Sequence, residues 1–123
     1  MRELVVRKIV LPEFLEKQAA EIVREAITHG TPKFQNGDAE GCFRSYLDAT
    51  NALIGVLNGY EASKLFTSAL KVVIHQDASA ASWTLRNIFE AFIFLLSPNF
   101  RPSYIDLHSA KTHTTIPSSS FSV

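Results

Sequence analysis

Two amphipathic segments meet at a tight turn, and this arrangement constrains the fold more than any other feature of the sequence. The dipeptide Asn36-Gly37 separates the segments and is typical of a turn. Asp38 follows it and is placed to cap the second segment, because its carboxylate can accept N–H groups from a first helical turn. Apolar residues recur at helical spacing on both sides, which predicts two helices that pair as a hairpin.

The end of the first helix has two interpretations. Pro12 suits the first position of a helix, and apolar residues recur at helical spacing from Leu15 to Ile27. Gly30-Thr31-Pro32 then ends or kinks the helix, because proline removes a backbone donor and restricts the residue before it. One more turn up to Gln35 is the alternative.

Two further helices follow the hairpin, which gives four in all. Asn58-Gly59 favours the end of the second helix, and Asp77 or Ser79 is placed to cap the fourth. The helices after the turn cover about residues 39–57, 60–75 and 80–96. The apolar stripes predict a core made of Ile22, Val23, Ile27, Cys42, Phe43, Tyr46, Leu53, Leu65, Phe66, Leu70, Trp83, Ile88, Phe89 and Phe92.

The predicted fold is all-α: a small bundle of about four antiparallel helices, or a stack of helical hairpins, with an extended arm at each end. The helical domain covers residues 12–97. Residues 1–11 are rich in β-branched residues and predict an extended arm or a short strand. Residues 98–123 contain three prolines and many serines and threonines, which predicts an extended tail without a core of its own.

Composition excludes several classes of function. The 12 basic residues balance the 12 acidic residues, so we expect no general attraction to nucleic acid. A single cysteine excludes an internal disulfide and a cysteine-based zinc cluster. The most apolar run, Ala91 to Leu96, is too short to cross a bilayer, so we expect no transmembrane segment. No targeting peptide is visible in Met1 to Leu11, and we expect an intracellular protein, with a plastid or mitochondrion among the candidate compartments.

The stretch around the turn resembles one unit of a tetratricopeptide repeat, over about residues 23–56. Gly30 falls at the small position of the repeat's first helix. Cys42, Tyr46 and Ala49 fall at the small, aromatic and small positions of its second helix. No second copy follows at the repeat period of about 34 residues. The resemblance implies a packed pair of helices and a protein-binding role.

Few residues suggest chemistry. Cys42 with a histidine would form a nucleophile pair, but its place on the apolar stripe favours a buried core residue. His29 and His75 lie at predicted helix ends, where interaction with the last carbonyl groups is the more common role. His108 and His113 have too few neighbouring ligands for a metal site. We therefore expect no catalytic residue, no metal and no cofactor.

The sequence predicts a non-enzymatic interaction subunit that bridges or stabilises other protein subunits of a larger assembly. Near-neutral charge, an unusually apolar fourth helix and two arms favour this role, and a peripheral subunit of a photosynthetic or respiratory membrane complex is one setting that fits. The predicted partner-binding residues lie on the arms and at the end of the fourth helix: Val5, Val6, Ile9, Phe94, Leu95, Phe100, Tyr104 and Phe121. The alternative is a small helical enzyme or ligand-binding domain with a pocket near Cys42, Tyr46 and Trp83, served by His29 or His75.

Overall fold

Four helices make up the part of the chain that the structure describes. The structure is a computed structural model, and it describes residues 10–96. The helices are α1 (Glu13–Gln35), α2 (Ala39–Val56), α3 (Ser63–Val73) and α4 (Ala78–Leu95). α1 packs mainly on α2, and both α2 and α3 pack on α4. The described range contains no strand, and its bundle of helices confirms the all-α prediction.

Most of the two predicted arms lies outside the described residues. This holds for residues 1–9 and for the whole predicted tail, residues 98–123, with its two histidines His108 and His113. Of the first arm, Val10 is exposed and Leu11 packs against the core. Six of the predicted partner-binding residues also lie outside the described range: Val5, Val6, Ile9, Phe100, Tyr104 and Phe121.

Aspartate side chains cap two of the helices. Asp38 accepts a hydrogen bond from the Gly41 backbone N–H at 2.9 Å, as the sequence predicted. Asp77 accepts one from the Ala80 N–H at 2.8 Å. The prediction left Asp77 and Ser79 open as the cap of α4; because Asp77 takes this role, α4 begins two residues earlier than expected.

α1 continues through Pro32 for one more turn. The Asn36 N–H donates to the Pro32 carbonyl at 3.0 Å, and the Asp38 N–H donates to the Lys33 carbonyl at 2.8 Å. Gly37 follows with a φ of 89°, a left-handed conformation that glycine adopts without strain. The longer of the two interpretations of α1 is therefore the correct one.

Residues 57–62 form successive turns where the prediction began a helix. The Tyr60 N–H donates to the Leu57 carbonyl at 2.9 Å, and the Ser63 N–H donates to the Tyr60 carbonyl at 3.0 Å. Gly59 has a φ of 92°, which the first of these turns requires. α3 therefore begins at Ser63, later than the predicted Tyr60.

Phenylalanines of α3 and α4 form the centre of the core. Phe66, Phe89 and Phe92 are fully buried. The Phe66 and Phe92 rings meet edge-on with centroids 5.1 Å apart, and Phe66 and Phe89 are 6.5 Å apart. Such ring pairs contribute roughly 0.5–1.5 kcal/mol beyond the burial of their area. The other predicted core residues that are buried are Val23, Ile27, Cys42, Tyr46 and Leu53.

Trp83 was predicted to be a core residue, and this prediction was wrong. The residue is 37% exposed, and its ring meets the Phe34 ring edge-on with centroids 6.2 Å apart. Helical geometry gives the reason, because Trp83 and the buried Leu85 project from opposite sides of α4. Five further predicted core residues are only partly buried against the core: Ile22, Phe43, Leu65, Leu70 and Ile88.

α1 and α2 come into close contact at Gly30. A Cβ atom on Gly30 would lie 2.5 Å from Cε1 of Tyr46 and 2.9 Å from its Cδ1, closer than real side chains approach. Tyr46 is buried, and its ring also meets Phe89 edge-on at 5.4 Å between centroids. The missing side chain at position 30 thus lets the tyrosine ring lie between α1 and α4.

We expect Gly30→Ala to destabilise the protein by about 1–3 kcal/mol, because the added methyl group would displace the packed Tyr46 ring. Gly55→Ala is the matched control, since Gly55 is also helical and a Cβ there would meet nothing within 4 Å. The better helix propensity of alanine should leave that variant unchanged or more stable by up to about 1 kcal/mol. Urea unfolding followed by circular dichroism measures both, and equal effects would contradict the close approach.

Candidate functional site

A group of polar side chains lies between α1, α2 and α4, inside an otherwise apolar interface. Oη of Tyr46 on α2 and Oγ1 of Thr31 on α1 share a hydrogen bond of 3.0 Å. Nη1 of Arg86 on α4 donates to Thr31 Oγ1 at 3.0 Å and to Tyr46 Oη at 3.4 Å. We call these three residues, with Glu90, the polar cluster. Its geometry depends on the packing of all three helices.

The positive charge of Arg86 is balanced within the polar cluster. Its Nε donates to Oε2 of Glu90 at 3.0 Å, one helical turn further along α4. The Arg86 side chain is only 14% exposed, whereas that of Glu90 is 37% exposed. Moving a charge out of water is costly unless the charge is paired, and the adjacent carboxylate supplies the pairing. The pair explains how α4 carries a charged residue in a largely buried position.

Cys42 and Ser82 lie beside the polar cluster and are buried. Burial raises the pKa of the Cys42 thiol, and the nearby Ser82 and Tyr46 hydroxyls and Arg86 oppose this rise without overcoming it. The Ser82 hydroxyl does not reach hydrogen-bond geometry with any described residue, so any hydrogen bond that it makes to the thiol is a weak one. A thiol whose pKa is raised stays protonated at neutral pH and is a poor nucleophile.

Burial also raises the pKa of the Tyr46 hydroxyl. The charge of Arg86 and the hydrogen bonds to Thr31 and Arg86 favour ionisation, but they are weaker than the cost of desolvating a phenolate. Tyr46 is therefore neutral in the folded protein, where its hydroxyl can both donate and accept hydrogen bonds.

The structure brings together two of the three residues of the predicted pocket. Cys42 and Tyr46 are neighbours in the interface of α1, α2 and α4. Trp83 is more exposed than either of them, and its ring contacts Phe34 at the end of α1.

Neither predicted histidine joins Cys42 and Tyr46. His29 is exposed, and its Nδ1 lies 2.8 Å from the carbonyl oxygen of Glu25, within α1. His29 was predicted to lie at a helix end. It lies inside α1 instead, because α1 continues past Pro32. His75 is exposed just after α3. Across residues 10–96, no three His, Cys, Asp or Glu side chains are grouped so that they could hold a metal ion.

Thr31, Arg86 and Glu90 are members of the polar cluster that the sequence did not single out. The available signal was the spacing of Arg86 and Glu90, which are four residues apart in the predicted helix richest in apolar residues. Thr31 gave no such signal, because it lies within a tripeptide that favours the end of a helix.

Comparison of the chain with protein-family models, with curated proteins and with solved structures gave no match. The resemblance over residues 23–56 is thus supported by the structure alone, and only as a helical hairpin, which α1 and α2 form. None of the helices described between residues 10 and 96 is long and apolar enough to cross a membrane.

We expect alkaline pH to destabilise the folded protein partly through Tyr46. From about pH 10, the ordinary pKa of tyrosine, the unfolded chain loses this proton while the folded protein retains it. The stability conferred by neutral Tyr46 is thus fully present below that pH and is lost as the pH rises. Tyr46→Phe cannot ionise, so its free energy of unfolding should fall less steeply between about pH 9.5 and 11.

Urea unfolding at a series of pH values tests this expectation. Tyr60→Phe is the control, because it removes a phenol from an exposed turn and leaves the core intact. Parallel loss of stability in wild type and Tyr46→Phe would show that burial of Tyr46 has no such effect.

Two buried hydroxyl residues are expected to respond differently to removal of the hydroxyl. Thr50 Oγ1 donates to the Tyr46 carbonyl at 2.8 Å, so Thr50→Val should cost about 1 kcal/mol. Ser82 Oγ is buried without a well-formed hydrogen bond, so Ser82→Ala should be neutral or stabilising by up to about 1 kcal/mol. Thermal unfolding measures both, and a larger loss for Ser82→Ala would mean that the Ser82 hydroxyl has a partner.

Proposed function

We propose that the protein is a non-enzymatic interaction subunit that bridges or stabilises components of a larger protein assembly. The observation that carries this proposal is the exposure of large apolar side chains at one end of the bundle. Val10 is 83% exposed, Phe14 is 68% exposed and Phe94 is 63% exposed. We call them the lower-end residues.

The lower-end residues lie at the same end because α1 and α4 run in opposite directions. The contact of Phe34 with Trp83 places the last part of α1 beside the first part of α4. The start of α1 and the end of α4 therefore point the same way. Residues 1–9 and 97–123, which carry the other predicted partner-binding residues except Leu95, attach at this end.

Exposed aromatic side chains favour a role in protein binding. Aromatic residues are enriched at the centres of protein interfaces, where their large apolar area leaves water. Phe14 is exposed in the first turn of α1 and Phe94 near the end of α4, so both sit where a partner can reach them without unfolding a helix. Leu95, the neighbouring predicted partner-binding residue, is half-buried.

The chemistry of the interior favours the non-enzymatic reading over the alternative. A catalytic cysteine needs a lowered pKa and a base within reach. Burial raises the pKa of Cys42, and its hydroxyl neighbours Ser82 and Tyr46 are not bases at neutral pH. The Arg86 guanidinium donates hydrogen bonds to Glu90 and Thr31, so these two residues account for its charge and its position in the interior.

The α1–α2 hairpin is the unit that we propose to be tetratricopeptide-like, which would favour recognition of another protein. Direct contact between Gly30 and Tyr46 supports this proposal, because these residues fall at the small and aromatic positions of the resemblance. A single hairpin cannot form a repeat array, so the remaining helices supply the rest of the core.

Site-specific cross-linking in the native source tests the proposed role. A photoreactive phenylalanine analogue replaces Phe14 or Phe94 in the full-length chain, and Ile74 in a control. Ile74 is 72% exposed but follows α3 at the opposite end of the bundle. We expect one discrete protein product at positions 14 and 94 and little at position 74, and Phe14→Ser should weaken capture of the same protein.

Equal labelling at all three positions, or no specific product at the lower end, would contradict the proposed surface. Thermal unfolding of each variant accompanies the experiment, because a loss of capture is informative only where the bundle is intact. Since Phe14 is 68% exposed, we expect its replacement by serine to change stability by less than about 0.5 kcal/mol.

A further inference from the structure

We draw no further inference here: the strongest candidate, the exposed face of α2 on which the small residues Ala52 and Gly55 leave room for a close approach, rests on those small residues alone, and nothing among residues 10–96 shows what covers it.

Discussion

The ring of Tyr46 fixes the arrangement of three helices. It lies against Gly30 of α1, meets Phe89 of α4 edge-on, and its hydroxyl bonds to Thr31. A ring of this size fits only because position 30 has no Cβ atom, which would come within 2.5 Å of it. The α1–α2 hairpin and its packing on α4 therefore depend on one contact between a large residue and the smallest one.

This contact also determines the character of the interior. The buried tyrosine brings a hydroxyl group into the core, and a buried hydroxyl needs hydrogen-bond partners. Thr31 and Arg86 supply them, and the charge of Arg86 in turn needs Glu90. Packing, hydrogen bonding and charge pairing thus account for the polar cluster as a structural feature. General acids and bases usually have a pKa near the working pH, whereas burial moves the pKa of Cys42 and of Tyr46 away from neutrality.

Local sequence rules correctly predicted the features that depend only on residues close together in the chain. Apolar periodicity identified the helices, and Asp38 caps α2 as expected because a cap involves only the residues of one turn. The errors occur where tertiary contacts decide. The large apolar side chain of Trp83 is typical of a core residue. Because Leu85 is buried on one side of α4, Trp83 projects from the opposite side and is partly exposed. The end of α1, in contrast, was left open between two positions, and local backbone hydrogen bonds to its last carbonyl groups decide for the later one.

The polar cluster could be predicted only in part for the same reason. Cys42 and Tyr46 stood out because they lie on one apolar stripe. Thr31 and Arg86 are separated by 55 positions in the chain, and no local pattern connects them. Their contact follows from the way α4 packs beside α1, where the Tyr46 ring lies against both Gly30 and Phe89.

The dependence of Gly30→Ala on the residue at position 46 tests this account most directly. Its cost in free energy of unfolding is measured in wild type and again in a Tyr46→Leu background, where the Cε1 and Cζ atoms of the ring are absent. We predict that alanine at position 30 is clearly destabilising in the first background and neutral or stabilising in the second. The same cost in both backgrounds would contradict the claim that the ring and the glycine fit together.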